Sequence, residues 1–323
     1  MRKDAKIYVA GHKGLVGGAI LRCLQVKGYE NLLTQSHMEL DLLDQLAVNV
    51  FFEQEKPEYV FLAAAKVGGI GANSTYPADF IYQNTMIGFN VVHAAYKNGV
   101  KKLINLGSSC IYPKFSSQPM KEESLLSGLL EPTNEAYAIA KINVIKLCTY
   151  YNRQYGTNYL SAMPTNLYGP GDNYDPSGSH VLPALIRKFH EAKISGSDRV
   201  ILWGDGSPKR EFLFSDDLAE ALVLLMQNNN ASDLSNPAGD FINVGSGKDL
   251  TIKELAEEIR SIVYEGILNR VCNVEWDASK PNGTPQKLLD VSQITALGFL
   301  PKIDLAQGVK IAYEDFITKY KDI

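Results

Sequence analysis

Short apolar runs separated by helix-length segments dominate the first half of the chain. Lys6-Ile7-Tyr8-Val9-Ala10, Tyr59-Val60-Phe61-Leu62-Ala63-Ala64, Lys102-Leu103-Ile104-Asn105-Leu106 and Tyr159-Leu160-Ser161-Ala162-Met163 are near-continuous rather than alternating. Strands covered on both faces have this character, because neither face meets water. Between them lie segments long enough for helical crossovers, and Ala19-Ile20-Leu21-Arg22-Cys23-Leu24 carries a helical period. Repeated strand–helix units predict an α/β fold built on a doubly wound parallel sheet, with ligands at the carboxyl ends of the strands.

Past Pro170 the pattern changes. Gly169-Pro170-Gly171-Asp172 and Asp175-Pro176-Ser177-Gly178-Ser179 are dense in turn formers. A helix is predicted from about Val181 to Ala192, followed by Val200-Ile201-Leu202-Trp203 and Gly204-Asp205-Gly206. Phe241-Ile242-Asn243-Val244 reads as one more buried strand, returning the chain to the main sheet. Residues 1–170, joined by the returning segment near 212–246, are therefore expected to form the nucleotide-binding sheet. Residues 171–211 and 247–323 are expected to form a smaller C-terminal α/β substrate lobe. The polar stretch from Asn228 to Pro237 reads as a surface loop.

The first strand runs into Gly11-His12-Lys13-Gly14-Leu15-Val16-Gly17-Gly18 and then a helix. Glycines at such a turn let the backbone approach a pyrophosphate, which the free N–H groups and dipole of the helix then attract. A glycine-rich turn with no ligand is the plainer alternative. The strand before and the helix after favour a dinucleotide site on a Rossmann-type sheet. Further along, Tyr137 and Lys141 are four apart on a predicted helix and share one face, with Cβ atoms about 5–6 Å apart. An adjacent ammonium lowers a phenol's pKa, which suits Tyr137 to giving a proton to a carbonyl under reduction. Ser108, in Ser108-Ser109-Cys110 at a strand end, is placed to steady the same oxygen.

Composition removes several alternatives. The net charge of -4 over 323 residues gives no basic face for nucleic acid. No run approaches the roughly 20 apolar residues needed to span a membrane. The first strand begins almost at Met1, so no leader is expected. Cys23, Cys110, Cys148 and Cys272 show neither paired nor metal-like spacing, as expected of a cytoplasmic chain holding no metal.

Several longer strings, taken together, resemble the extended short-chain dehydrogenase/reductase family, and within it the epimerase-reductases of GDP-linked 4-keto-6-deoxy sugars. They are Ala10 to Gly17; Leu62-Ala63-Ala64-Ala65-Lys66-Val67-Gly68-Gly69-Ile70; Tyr76 to Asn84; Gly107-Ser108-Ser109-Cys110-Ile111-Tyr112-Pro113; Glu131-Pro132-Thr133-Asn134-Glu135; and Asp277-Ala278-Ser279-Lys280-Pro281. The resemblance implies NADP(H) as cofactor. Its contacts would come from Gly11, His12, Lys13, Gly14, Leu15, Val16, Gly17, Leu106, Gly107, Ser108, Ser109, Lys141, Pro164, Thr165, Asn166, Leu167 and His180. Ser108, Tyr137 and Lys141 would serve reduction at C4, with Lys141 also holding the nicotinamide ribose. Cys110 and His180 would be the base and acid for inversion at C3 and C5, since thiol and imidazole bracket neutral pH. Packing for Cys110 and capping of the following helix for His180 are the plainer readings. A related GDP-keto sugar such as a heptose, reduced at C4 without full epimerisation, is the alternative reaction.

Substrate contacts implied by the resemblance are Lys188, Trp203 and Arg210, near the GDP end. The family commonly has arginines where this chain has Lys188 and Gln286, and likewise where it has Lys13 and His37. Leu32-Leu33-Thr34-Gln35-Ser36-His37 contains no acidic residue to repel a 2′-phosphate, and Asp41 is expected to be an adenine-side contact or a helix cap. A homodimer is implied as well, through the helix holding Ile139, Ile142, Ile145 and Leu147 and the apolar helix from Ile81 to His93.

Overall fold

The apolar runs become the strands of one sheet in a computed structural model that describes residues 1–176, 178–265, 272–280 and 282–320. Ser177 and Pro281, read above as a turn former and a motif residue, lie outside the described residues. Strand β1 (Ile7–Ala10) leads into helix α1 (Leu15–Val26), followed by β2 (Leu32–Leu33), α2 (Gln45–Glu55), β3 (Tyr59–Leu62), α3 (Ile70–Thr75) and α4 (Pro77–Lys97). Then come β4 (Lys102–Leu106), α5 (Glu135–Tyr155), β5 (Tyr159–Pro164) and β6 (Asn166–Tyr168). The second half contributes α6 (Val181–Ser195), β7 (Arg199–Trp203), β8 (Lys209–Phe214), α7 (Ser215–Asn228), β9 (Ser235–Asn236) and β10 (Gly239–Val244). It ends with β11 (Asp249–Thr251), α8 (Ile252–Val263), β12 (Asn273–Asp277), β13 (Gln286–Lys287), α9 (Ser292–Ala296) and α10 (Leu305–Lys319).

The main sheet has the order β2-β1-β3-β4-β5-β10-β9, parallel except for the edge strand β9. Its order reverses around β1, where β2 and β3 lie on opposite sides; such a switch point is where sheets of this kind bind ligands. Side chains alternate between two cores. Ile7, Val9, Phe61, Ile104 and Leu160 pack on the α1 and α7 side. Tyr8, Ala10, Val60, Leu62 and Leu103 pack with residues of α2, α4 and α5 on the other. Burial on both faces explains the near-continuous apolar runs. The return of the chain at β10 follows from Phe241–Val244 pairing in parallel with Ser161–Pro164. A separate apolar core joins α6, α8 and α10 to β7 and β8.

The stretch read as a surface loop is more ordered than that. Residues Ala231–Leu234 form a 3-10 turn whose Ala231 and Leu234 are buried, and Ser235–Asn236 pairs antiparallel with β10. An edge strand of two residues carries no period that a sequence could display.

Three buried contacts fix the frame. Lys102 is 5% exposed, and its Nζ donates to the carbonyls of Leu225 (2.7 Å), Met226 (2.8 Å) and Asn229 at the C-terminal end of α7. A cation there complements the helix dipole. The carboxylate of fully buried Glu211 accepts from the N–H of Gly247 at 2.7 Å and of Leu289 at 2.9 Å, tying β8 to the turn after β10 and to the segment after β13. On the opposite face α4 and α5 approach closely at Gly88, where an added Cβ would lie 2.2 Å from Cγ2 of Val144. Among the described residues no helix is long and apolar enough to cross a membrane.

Candidate active site

The glycine turn is shaped by contact as much as by conformation. Gly11 has φ +85°, and a Cβ there would sit 2.7 Å from the backbone N of Ala64. A Cβ on Gly17 would lie 2.1 Å from the Gly11 carbonyl oxygen. Neither position admits a side chain. Helix α1 then opens at Gly14 with no side-chain cap and no acidic residue in its first turn. Its first N–H groups thus remain for an anion, and His12 Nδ1 beside them is buried with no hydrogen-bond partner.

This turn forms one wall of a cavity of about 760 Å³. Of the residues expected to hold a cofactor, Gly11, Gly14, Leu15, Val16, Gly17, Leu106, Gly107, Ser108, Ser109, Lys141, Pro164, Thr165, Asn166, Leu167 and His180 all line it. Tyr137 does too, as do Gln35, His37 and Asp41 beyond β2. His12 and Lys13 stand outside this wall, on the turn itself. Asp41 caps no helix: its Oδ1 accepts from Leu43 N at 2.9 Å, and Asp44 is the N-cap of α2.

Strand β4 delivers the reacting end. Directly after Gly107, Ser108 caps a 3-10 turn, its Oγ accepting from Cys110 N at 3.3 Å. Tyr137 and Lys141 rise from the first two turns of α5. Tyr137 packs edge-on against Phe80, and Lys141 Nζ lies 5.6 Å from the centre of the Tyr137 ring. The expected depression of the tyrosine pKa is absent from this arrangement. Burial, reinforced by Cys110, holds the Tyr137 hydroxyl above its ordinary range. Lys141 is itself pulled down to about 8 by burial and donates to the Leu106 carbonyl at 2.7 Å. The ammonium donates to backbone here, and burial is the largest influence on the phenol.

Cys110 is 6% exposed and stands outside the cavity wall. Burial raises its thiol, opposed by Lys287, by a hydrogen bond with Ser108 and by Lys141. His180 is the N-cap residue of α6, as the plainer reading had it, and its carbonyl accepts from Ala184 N at 3.0 Å, but its side chain makes no cap bond and is left for the cavity. It opens into the cavity, whose enclosing walls lower its imidazole. Both shifts run away from neutrality, so the pair still brackets it, more widely than expected, and rests as thiol and uncharged imidazole.

The expected substrate residues form a second group. Trp203 is 61% exposed, which rules out core packing, and Lys188 Nζ (6.0 Å) and Lys280 Nζ (5.6 Å) both lie over its ring. Lys188 also donates to the Ile201 carbonyl at 2.9 Å. Arg210 is pulled down to about 10 by burial and pairs in register with Lys287 across β8 and β13. None of these three lines the main cavity. Gln286, in place of an arginine, donates to Asp249 Oδ2 at 2.6 Å. Two charged groups were missed from the sequence: Lys287, electrostatically coupled to Cys110, and Glu131, bridged to Lys114 at 3.0 Å. Glu131 opens one of the motif strings without a role attached to it there, and the only signal for Lys287 was its place beside Gln286.

A cradle that only glycine can form, opening into a cavity also lined by a serine, a tyrosine and a lysine, is the arrangement of a short-chain dehydrogenase/reductase. The chain belongs to the NAD dependent epimerase/dehydratase family, whose model matches residues 7–245. GDP-L-fucose synthase 1 of Arabidopsis thaliana is 55% identical over 316 residues, covering 98% of this chain and 94% of the relative. GDP-L-fucose synthase of Escherichia coli (strain K12) is 54% identical over 315 residues, covering 97% and 96%. Among solved structures, a GDP-mannoheptose C4 reductase from Campylobacter jejuni with NADP bound superposes with a TM-score of 0.88 at 41% identity, covering 98% of this chain and 99% of that one.

Proposed function

We propose that this chain is an NADP(H)-dependent epimerase-reductase that converts GDP-4-keto-6-deoxy-D-mannose to GDP-L-fucose. The observation that carries the reading is the single cavity in which the Gly11–Gly17 turn faces Ser108, Tyr137, Lys141 and His180, in a chain so similar along its whole length to GDP-L-fucose synthases. When bound, the reduced nicotinamide supplies hydride to C4. Ser108 and Tyr137 hold the 4-keto oxygen, and Tyr137 gives it a proton. A tyrosine held neutral by burial is a proton donor throughout the neutral range. Lys141 orients the cofactor ribose and fixes the Leu106 end of β4.

Inversion at C3 and C5 uses carbon acids activated by the adjacent ketone. Cys110 takes the proton on one face and His180 returns one on the other. That order requires thiolate and imidazolium, which is the resting pair with one proton moved from sulfur to nitrogen. Lys287 is placed to favour the thiolate. Lys188, Trp203 and Arg210 receive the GDP, the indole offering a stacking face and the cations meeting the diphosphate.

Residues 1–170 with the returning segment 212–246 act as the nucleotide-binding part, and 171–211 with 247–323 as the substrate lobe. The protein works as a homodimer in the cytoplasm. Ile142 and Ile145 are buried within the subunit, so pairing rests on the outward Tyr82, Phe89, Tyr150 and Tyr155 of α4 and α5. The four cysteines are buried and free, which suits a reducing compartment. Incubation with NADPH and GDP-4-keto-6-deoxy-D-mannose in deuterated water, with product identification, tests the reaction. GDP-L-fucose labelled at C3 and C5 is expected. A 4-hydroxy product with unlabelled, uninverted carbons would instead favour C4 reduction alone, as named for the heptose reductase that superposes on this chain.

A further inference from the structure

Two asparagines pin the segment after β3, and they do so differently. Asn84 on α4 uses its whole carboxamide. Its Oδ1 accepts from Lys66 N at 2.9 Å, and its Nδ2 donates to the carbonyls of Lys66 at 3.0 Å and Phe80 at 2.8 Å. Asn73 on α3 uses only half. Its Nδ2 donates to the carbonyls of Gly68 at 2.8 Å and Gly69 at 3.1 Å, while its Oδ1 is buried with no hydrogen-bond partner among the described residues. The two carbonyls fix which way the amide faces, because turning it over would set oxygen against oxygen. The side chain is 7% exposed and lines the main cavity. An acceptor shielded from water and left unpaired costs free energy, so this one calls for a donor that a ligand brings.

Asn73 stands at the reacting end of the cavity. Gly69 N donates to the Gly178 carbonyl at 3.2 Å, and Gly178 lies two residues before His180 in the same wall. On the other side, a Cβ on Gly68 would lie 3.3 Å from Cζ of Phe80, the ring that packs edge-on against Tyr137. The cation of this segment is engaged elsewhere, since Lys66 Nζ is held by Asp79 at 2.9 Å. We infer that Asn73 Oδ1 accepts a hydrogen bond from a ring hydroxyl of the keto sugar, and thereby selects for sugars that carry that hydroxyl. The inference rests on the reaction proposed above. In its substrate C1 bears the diphosphate, C4 is the ketone and C6 is a methyl group, so the donors available are the hydroxyls at C2 and C3. A sugar lacking the right one fills the cavity, excludes water and leaves the acceptor unpaired.

The test compares GDP-4-keto-6-deoxy-D-mannose with its 2-deoxy and 3-deoxy analogues, reading kcat/KM for NADPH oxidation. In the parent, one analogue should be poorer by roughly tenfold to hundredfold, the range for a buried acceptor left without its donor. Asn73→Ala should lower kcat/KM for the full sugar by a similar factor and bring it level with that analogue. Its affinity for NADPH, measured by fluorescence titration, should match the parent's. The substitution also removes the bonds to Gly68 and Gly69, and a loss from that cause would fall equally on all three sugars. An equal loss overturns the inference, as does a parent that turns over both analogues as well as the full sugar. A fall in NADPH affinity overturns it too, by giving the acceptor to the carboxamide of the cofactor. The comparison within the parent needs no variant, so it stands even where Asn73→Ala fails to fold. Absence of turnover with all three sugars would overturn the proposed reaction itself, a result distinct from equal turnover.

Discussion

Gly88→Ala tests whether the close approach of α4 and α5 positions the chemistry. In the native packing the new methyl would sit 2.2 Å from Cγ2, 2.9 Å from Cγ1 and 3.1 Å from Cβ of Val144. Carbon atoms in contact stay about 3.5–4.0 Å apart. Because both methyls and the branch point are affected, no rotamer of Val144 relieves the clash, and the helices must separate by roughly 1 Å. Overpacking of this kind costs about 1–3 kcal/mol, against a gain of about 1 kcal/mol for replacing glycine inside a helix. A net loss of up to about 2 kcal/mol is expected in urea titrations. Val144 lies on the same helix as Lys141 and Tyr137, one and two turns away, so the displacement reaches the reacting end. Misplacement by about 1 Å costs up to about 100-fold in rate, so single-turnover NADPH oxidation should slow by about tenfold or more. Val144→Ala combined with Gly88→Ala removes the two nearest methyls and leaves only the 3.1 Å Cβ contact, so it should recover much of both properties, giving a favourable coupling of about 1–3 kcal/mol in the double-mutant cycle. A Gly88→Ala protein as stable and active as the parent, or additive effects in the cycle, would refute the argument.

Three further outcomes are expected. Tyr137→Phe should abolish carbonyl reduction yet bind NADPH nearly as the parent does, as measured by fluorescence titration; near-normal turnover would remove Tyr137 from its role. Lys141 holds its proton only to about 8 when folded, against an ordinary 10.5, so the unfolded chain binds more protons between those values and stability should rise with pH across that window. The difference corresponds to at most about 3 kcal/mol, less about 1 kcal/mol for the bond to Leu106. Lys141→Met should therefore be inactive but more stable than the parent at pH 7 by denaturant titration, with the gap closing by about pH 10.5. Cys110→Ser should deliver a 4-hydroxy sugar without full inversion and with reduced deuterium at C3 and C5 by NMR, whereas an unchanged product with undiminished label would leave Cys110 a packing residue.

What the sequence made legible was whatever local chemistry dictates. Buried parallel strands must be apolar throughout and must end in turn residues, so β1, β3, β4, β5 and β10 and the loops following them could be read directly. Those loops carry the cavity wall, and the site was legible with them. The strand β8 was not, since Lys209-Arg210-Glu211 looks exposed and only its partners explain how Glu211 is buried. The protonation states were equally hidden. Spacing brought Tyr137 and Lys141 together, but the competitor for the ammonium is the carbonyl of Leu106, on another strand. Lys287 reaches the surroundings of Cys110 only through its pairing with Arg210, a relation that no local pattern encodes.

The late return of the chain to the sheet has a consequence for its biosynthesis. Strand β5 is complete at Pro164, but β10, its neighbour on the outer side, begins at Gly239. At 5–20 residues per second those about 75 residues take roughly 4–15 s to synthesise. Throughout that interval β5, all six of whose residues are buried in the finished sheet, presents an unpaired apolar edge, the feature most prone to pair with a neighbouring chain. Yield in an expressing cell should thus depend on how that interval is spent. Slower translation before Gly239 would lengthen the exposure, and a chaperone that covers the β5 edge would matter most before β10 emerges.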